Sequence, residues 1–306
     1  MPFYVNKLIP FIFPFINTKV LVMTMADLDQ FHIKRSTNNV NHIYLFHSTQ
    51  SSHVQYNKGA FDCYDTIFCV GPHHVNEIRK TEDVYSLTPK NLINVGYSWL
   101  EDLEKNYEKI SREEKNDKVK ILIAPSWGDG NILETCIDVI LEELLLHQYE
   151  IMVRPHPEFI KREYKALLDL KEKYCDNENF ILDMKLKSSN NIFDSTILIT
   201  DWSGIATEFA WGMYKPVIFI NTTKKIHNEE YEKINIIPLE DRIRNLLGPV
   251  LNTEDCINIS QKVQNVLFKN EENKDSLIKL RNENIFNWGQ SSKVGASYII
   301  NYCKEN

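Results

Sequence analysis

The sequence lacks the closely spaced cysteine pairs that mark small zinc-binding and redox domains. None of its six cysteines forms a C-x-x-C motif with another, which argues against a zinc ribbon and against a thioredoxin-type site. They are scattered along the chain, at Cys63, Cys69, Cys136, Cys175, Cys256 and Cys303. Free thiols in a reducing compartment are the simplest interpretation, so we expect a cytoplasmic protein.

A surplus of basic charge is also lacking. Lys and Arg number 35 against 42 Asp and Glu, which gives a formal net charge of -7. Because a broad nucleic-acid interface needs clustered positive charge, we expect no nucleic-acid partner. With 43% hydrophobic and 25% charged residues, the composition is that of an ordinary globular protein, and 306 residues suffice for two compact domains.

No hydrophobic run is long enough to cross a bilayer. The most apolar stretch, residues 2–16 (PFYVNKLIPFIFPFI), is shorter than a membrane-spanning helix and is interrupted by Pro10 and Pro14. It also lacks the basic start and the small-residue cleavage site of a signal peptide. We expect this stretch to be buried as a strand or at a helix edge. Peripheral contact with the inner face of the cell membrane is the alternative.

Internal repeats and low-complexity tracts are absent, and short β-rich apolar runs alternate with helical patterns instead. The predicted strands of the first half are Lys19–Thr24, His42–Phe46, Thr66–Val70 and Leu92–Val95. Those of the second half are Lys120–Ala124, Glu150–Val153, Phe180–Leu182, Thr196–Thr200 and Pro216–Ile220. Helical patterns such as Ile132–His147 and Lys161–Tyr174 lie between them.

This alternation indicates βαβ units and mostly parallel sheets. A charged stretch near residues 105–118 separates the two halves and is the best candidate for a linker. We therefore predict an α/β protein with two doubly wound, Rossmann-like domains that face each other across a cleft. The predicted domains are residues 1–112 and 113–306.

Ligands of such sheets bind at the carboxyl ends of the strands, so the segments that follow strands are the candidate sites. The first is FHST, which contains His47. A neutral imidazole at a strand end can take a proton from a hydroxyl at physiological pH. A structural histidine bonded to the loop backbone is the alternative.

The second segment is APSWGDGN, residues 124–131, which includes Ser126 and Trp127. Its small residues let a backbone approach a ligand closely, although an ordinary capped turn has the same composition. It is not a G-x-G-x-x-G fingerprint, so it predicts no dinucleotide cofactor.

The third segment is RPHP, in which two prolines hold His156 rigidly beside Arg154. This pair suits the binding of a diphosphate or the stabilisation of charge that develops on it. A stiff turn with an incidental histidine is the alternative.

The fourth segment is TDWSGIATE, residues 200–208, which includes Gly204 and Glu208 and opens a predicted helix. Ser203 is a natural N-cap, and the free amides of the first helical turn would form an anion site. Asp201 could cap the helix equally well, and a plain capped helix is the alternative.

Together, the segments resemble the CDP-glycerol glycerophosphotransferase family, the teichoic acid polymerases and primases of bacterial cell envelopes. APSW, RPHP and TDWSG are similar to the family's Pro-Thr-Trp, His-Pro and Asp-Tyr-Ser-Ser motifs, in the same order. The resemblance runs from about Val20 to about Ile220 and is also carried by VLVMTMADLDQFHIKRS, AFDCYDTIFCVGPHHVNEI and KPVIF.

The resemblance implies a GT-B fold, a CDP-activated donor and no essential metal or cofactor. It implies transfer of a glycerol-phosphate or related alditol- or sugar-phosphate unit to a cell-surface glycan or lipid-linked acceptor, with release of CMP. His47 would be the base, His156 would serve the donor, and Ser203 would hold the donor phosphate. The implied donor-binding set is Ser126, Trp127, Arg154, Asp201, Ser203, Gly204 and Glu208.

The sequence departs from the family pattern in three places. His47 is followed by Ser-Thr instead of glycine, and Trp202 and Gly204 replace the usual Tyr and Ser. Gly128 stands where an arginine commonly follows the tryptophan. These differences bear on the donor more than on the fold. A nucleotide-sugar glycosyltransferase or epimerase of GT-B type, and a non-catalytic subunit of an envelope assembly complex, are the alternatives.

Two other patterns suggest metals. Asp27-Leu28-Asp29 is a D-x-D string, as in metal-dependent GT-A enzymes, but the two-domain pattern favours a solvated loop. His73 and His74 are adjacent at a predicted helix start, so their side chains should point apart. We expect them at the surface or behind other site residues.

Transfer from a CDP-linked donor should therefore survive EDTA, because helix termini and side-chain donors can neutralise a diphosphate without a cation. A radiochemical transfer assay with and without chelator measures this. Loss of activity that magnesium or manganese restores would instead make Asp27 and Asp29 metal ligands.

Overall fold

The computed structural model describes residues 9–110, 118–184, 190–269 and 274–306. These residues form two compact units. Of the described residues, unit 1 contains those up to Glu101 together with Ile226–Leu239 and Arg281–Asn306. Unit 2 contains Asp102–Lys225 and Glu240–Leu280.

The predicted boundary between residues 112 and 113 lies outside the described residues. Within the predicted linker, residues 105–110 belong to the helix Ser98–Ile110. The chain also returns to unit 1 after unit 2 has begun, because 226–239 and 281–306 make their contacts there. A division into two consecutive segments does not describe this path.

Unit 1 is built on a four-stranded parallel sheet in the order β1-β2-β3-β4. The strands are β1 Val20–Met23, β2 Asn41–Leu45, β3 Thr66–Cys69 and β4 Asn91–Asn94. Ile43, Phe68 and Val95 form its apolar core, against which Val294 and Tyr298 of the last helix pack. The Tyr298 hydroxyl also lies 3.2 Å from Thr66 Oγ1 and accepts a hydrogen bond from Asn91 Nδ2. These contacts explain why the C-terminal segment belongs to unit 1.

Unit 2 contains a six-stranded parallel sheet in the order β10-β9-β8-β5-β6-β7. The strands are β5 Lys120–Ile123, β6 Glu150–Val153, β7 Phe180–Leu182, β8 Ile197–Thr200, β9 Val217–Asn221 and β10 Val250–Asn252. From β5 the chain adds strands in one direction through β6 and β7, and in the other from β8 to β10. The carboxyl ends of the neighbouring strands β5 and β8 are therefore the topological switch point, where such sheets bind ligands.

The strands of unit 2 read as continuous apolar runs because both faces of the sheet are covered. Ile121, Ile123, Ile197 and Ile199 are fully buried in one core cluster. All nine predicted strands are present, each within about one residue of its predicted bounds. Strand β10 was not predicted, since only two of its residues, Val250 and Leu251, are apolar.

The helices surround the two sheets. In chain order, the α-helices with described bounds are Ser52–Gln55, Pro72–Tyr85, Ser98–Ile110, Ile132–Thr135, Ile137–Leu146, Pro157–Arg162, Tyr164–Lys173, Asn190–Asp194, Ile205–Thr207, Leu239–Leu247, Ile259–Lys269, Lys274–Asn284 and Ser291–Glu305. Short 3₁₀ turns are Phe13–Phe15, Tyr231–Ile234 and Thr253–Asn258, and Glu208–Gly212 is a π turn. The predicted helix 132–147 is two helices, because the backbone leaves helical geometry at Cys136.

Two expectations from the sequence are wrong. Phe11 and Phe15 are 73% and 75% exposed, so the described part of the apolar N-terminal stretch is not buried. His73 and His74 have ring centroids only 4.1 Å apart, so the expectation that their side chains point apart is wrong; both are buried, which leaves the expected position behind other site residues. Among the described residues, no helix combines the length and apolarity needed to cross a membrane.

Candidate functional site

Asp201, directly after β8, joins the two loops at the switch point. Its Oδ1 atom accepts hydrogen bonds from the backbone amides of Ser126 and Trp202, both at 2.7 Å. Its Oδ2 atom accepts one from the Ile132 amide at 3.3 Å. Burial raises the pKa of this carboxyl group, while the amide hydrogen bonds act in the opposite direction. Asp201 therefore holds the loop that follows β5 in place.

His156 follows β6 and caps the helix Pro157–Arg162. Its Nδ1 atom accepts a hydrogen bond from the Glu158 amide at 3.1 Å. Burial, followed by the charge of Lys225, lowers the pKa of His156 to about 4. The ring is therefore neutral at physiological pH and carries its proton on Nε2, which can donate to an anionic oxygen.

Trp127, in the loop after β5, lies beside His156. The two ring centroids are 6.0 Å apart with the planes inclined by 33°. Lys225 Nζ lies 3.8 Å from the centroid of the Trp127 ring, and Arg162 Cζ lies 4.5 Å from it. Two cations thus surround one indole at the carboxyl edge of the sheet.

Arg154 has a carboxylate neighbour. Its Nε atom lies 3.9 Å from Asp183 Oδ2, and both side chains are largely buried. Asp183 follows β7, so this ion pair spans two adjacent strand ends. The charge of Arg154 is therefore shared with a carboxylate before any ligand arrives.

The segment after Asp201 differs from its prediction in detail. The helix begins at Ile205 with Gly204 at the N-cap position and no side-chain capping hydrogen bond, so the predicted capping role of Ser203 is wrong. Only three α-helical residues follow before the π turn, which starts at Glu208. The Ser203 side chain is partly exposed beside this short helix.

Trp202 forms a second stack that the sequence did not predict. Arg244 Cζ lies 3.7 Å from the centroid of one Trp202 ring, and Trp202 Nε1 donates a hydrogen bond to the Thr222 carbonyl at 2.9 Å. Burial lowers the pKa of Arg244 to about 10. Arg244 lies on the helix Leu239–Leu247, where no local motif marks it. Lys225 had a visible signal, since Lys224 and Lys225 follow a predicted strand closely.

His47 lies in unit 1, two residues after β2, with an exposed side chain. The surrounding protein still reduces the hydration of the ring enough to lower the pKa of His47, although an interaction with the Thr24 backbone acts the other way. The Tyr97 hydroxyl donates a hydrogen bond to the His47 carbonyl at 2.7 Å. His47 is thus an accessible, neutral imidazole on a braced loop.

Buried polar groups brace the rest of that loop. Glu77 Oε2 accepts hydrogen bonds from the Ser52 amide and hydroxyl at 2.6 and 2.7 Å. His74 Nε2 lies 2.9 Å from the Gln50 carbonyl, while its Nδ1 accepts from the Val70 amide. Burial raises the pKa of Glu77, but the hydrogen bond with His53 and the adjacent histidines outweigh it and hold that pKa at about 2. The buried histidines therefore support the His47 loop.

Asp27 and Asp29 lie in the loop after β1, as predicted, and both have positive φ angles. Within residues 9–110, 118–184, 190–269 and 274–306, no group of three or more His, Cys, Asp or Glu side chains is placed to hold a metal ion.

Comparison with known proteins identifies the family. Residues 47–297 match the family described as CDP-Glycerol:Poly(glycerophosphate) glycerophosphotransferase. The chain belongs to this family. It is therefore a transferase of the glycerophosphotransferase type, as the sequence motifs implied. None of the curated proteins is similar enough in sequence to match it.

Solved structures confirm the predicted GT-B fold. A histidine variant of the wall teichoic acid polymerase TagF matches with a TM-score of 0.60 and 15% identity, covering 94% of this chain and 74% of that one. A second TagF variant matches with a TM-score of 0.57 and 14% identity over the same shares. UDP-GlcNAc 2-epimerase from Neisseria meningitidis matches with a TM-score of 0.52 and 13% identity, covering 86% and 70%.

Replacing Asp201 with Ala should destabilise the protein by at least about 2 kcal/mol, because three backbone amides lose their acceptor and each buried unpaired amide costs roughly 1–3 kcal/mol. Asp129→Ala is the matched control, since Asp129 is exposed on the same loop and should change stability by less than about 0.5 kcal/mol. Urea unfolding of both variants measures the difference. Equal midpoints would show that Asp201 does not hold the loop.

Proposed function

We propose that this protein transfers a glycerol-phosphate or related alditol- or sugar-phosphate unit from a CDP-linked donor to a hydroxyl of a cell-surface glycan or lipid-linked acceptor. The observation that carries the proposal is the meeting of the β5, β6 and β8 loops at the switch point of unit 2. There, a neutral His156 with its proton on Nε2 lies beside Trp127 and its two cations. Family membership supports the same reaction class.

In the proposed mechanism, an acceptor oxygen attacks the distal phosphorus of the donor in line with the bond that breaks. The acceptor hydroxyl gives its proton to the neutral ring of His47. The bond from that phosphorus to the bridging oxygen breaks, and CMP leaves with the electron pair. His156 Nε2–H and Ser203 stabilise the negative charge of the diphosphate. Ser126, Arg154, Asp201, Gly204 and Glu208 complete the proposed donor site.

Incubation with labelled CDP-glycerol, CDP-ribitol and UDP-sugars, with product analysis, tests this function. We expect CMP release and transfer with a CDP-linked donor. Turnover of a UDP-sugar alone would make the protein a nucleotide-sugar glycosyltransferase or epimerase. Binding without turnover of any donor would make it a non-catalytic subunit.

Peripheral membrane contact is a further part of this proposal, because a lipid-linked acceptor lies at the inner face of the cell membrane. The exposed side chains of Phe11, Ile12 and Phe15 support it. The protein should sediment with anionic lipid vesicles, and Phe11→Ser with Phe15→Ser should reduce the bound fraction. Phe268→Ser is the control, since Phe268 is 90% exposed and far along the chain.

His47→Ala should abolish turnover while leaving donor affinity nearly unchanged, since a base serves the chemical step. Because the pKa of His47 is lowered from its ordinary value of about 6.5, the wild-type rate should fall at acid pH with a midpoint below pH 6.5, where the ring becomes protonated. Steady-state rates across pH measure both. His32→Ala, at an exposed histidine of unit 1, is the control. Near-wild-type turnover in His47→Ala would remove His47 from the mechanism.

Ser203→Ala and His156→Ala should each weaken the binding of CMP and of the CDP-linked donor. The loss of one hydrogen bond to a charged group costs roughly 1.5–3 kcal/mol, which calorimetry resolves. His147→Ala and Ser276→Ala change exposed residues of the same types and should leave binding unchanged. If the first two variants bind as tightly as the wild type, the donor site lies elsewhere.

A further inference from the structure

Lys225 reaches the candidate site from a loop that none of the four motif segments includes. It lies four residues after β9, and its ammonium group is 3.8 Å from the centroid of the Trp127 ring. Arg162 Cζ is 4.5 Å from the same indole, and the ring of His156 is 6.0 Å away. Lys225 from the β9 loop and Arg162 from the end of the helix Pro157–Arg162 thus bring two positive charges to one point on the carboxyl edge of the sheet.

The stem of Lys225 fills the space beside Gly128. A Cβ atom at Gly128 would lie 3.2 Å from Lys225 Cγ and 3.3 Å from Lys225 Cβ. A residue with a side chain at position 128 would therefore compete with Lys225 for the same volume. Gly128 is the position at which the family motif commonly carries arginine. Here a lysine from the β9 loop occupies the space next to the tryptophan.

The electrostatic surroundings show that the cationic groups at this point act on one another. Burial, then the charge of Arg162, lowers the pKa of Lys225 to about 8, although Asp201 and Glu158 act in the opposite direction. Burial, then the charge of Lys225, lowers the pKa of His156. A bound polyanion would offset the mutual repulsion of these cationic groups, because a nearby opposite charge favours the protonated form of each.

We propose that Lys225, assisted by Arg162, binds the diphosphate of the nucleotide donor and replaces in space the arginine that the family motif carries at position 128. The proposal rests on the proposed donor site. It makes Lys225, on the loop after β9 and outside the four motif segments, the main cation of that site. The competing explanation is that Lys225 only packs against Trp127.

Calorimetry with cytidine, CMP, CDP and CDP-glycerol separates these explanations. Lys225→Met keeps an unbranched stem against Trp127 and Gly128 but removes the charge. We expect it to lose about tenfold or more in affinity for CDP and CDP-glycerol, as for a charge-assisted hydrogen bond, and to keep its affinity for cytidine. Lys224→Met is the matched control, because Lys224 is paired with Asp241 and should change CDP affinity little.

A reciprocal exchange tests the spatial replacement. Gly128→Arg alone should weaken CDP binding, because the new side chain meets Lys225. Lys225→Ala alone should weaken it through loss of charge. The double variant should recover most of the lost affinity, since the arginine then has both the space and the function. Thermal melting of each variant confirms that it is folded.

The outcomes distinguish the role of Lys225 from the identity of the nucleotide donor. Wild-type CDP affinity in a folded Lys225→Met variant, or equal losses for cytidine and CDP, would overturn the role of Lys225 and leave the proposed function standing. A wild-type protein that binds UDP but not CDP, with the same dependence on Lys225, would overturn the cytidine donor and leave the diphosphate site standing.

Discussion

The acceptance of three backbone amides by the Asp201 carboxylate is the interaction on which the candidate site depends. Strands β5 and β8 are neighbours in the sheet, but their following loops leave in opposite directions from the switch point. Asp201 ties them together through the amides of Ser126 and Ile132. Because the two carboxylate oxygens lie in a fixed plane and bond to two different amides of the β5 loop, they fix the orientation of that loop as well as its distance from β8. Trp127, next to Ser126, is placed by this constraint.

The placement of Trp127 in turn organises the cations. Lys225 and Arg162 lie close to its ring, and His156 lies beside it with its Nδ1 atom already used by the Glu158 amide. An indole face attracts cations without neutralising them, unlike the Asp183 carboxylate that faces Arg154. The cations near Trp127 therefore lie against an aromatic ring, whereas Arg154 lies against a carboxylate.

Much of this arrangement follows from the sequence. The apolar runs KILI, EIMV and ILIT predict buried parallel strands, and the rule that ligands bind at strand ends then selects the loops with Ser126, His156 and Asp201. Contacts between distant segments do not follow from such patterns. Arg244 reaches Trp202 from a helix about forty residues away in sequence, and the last helix packs on the first sheet through Val294 and Tyr298. Neither contact can be read from the spacing of apolar residues within one helix or strand.

The prediction for His73 and His74 failed because sequence spacing does not show which segments pack over a helix start. His73 and His74 were expected to diverge because neighbours on an ideal helix do, but both lie in the first turn, where the helix start is covered by the loop after β2. There His74 stacks on Phe46 at 3.7 Å and bonds to the Gln50 carbonyl. Glu77, one turn later, is the buried carboxyl group whose pKa these two histidines and His53 lower. Sequence spacing alone does not reveal the layer that covers a helix.

The two candidate catalytic histidines share one property, and because of it the positive charge at the site has to come from other residues. Both have a lowered pKa, and for both the largest cause is the loss of hydration. A neutral imidazole can accept a proton, as proposed for His47, or donate a hydrogen bond from Nε2, as proposed for His156, but neither ring supplies permanent positive charge. The charge that balances a diphosphate must then come from backbone amides, lysine or arginine. Lys225 and Arg162 are placed to provide it where the motif arginine is missing.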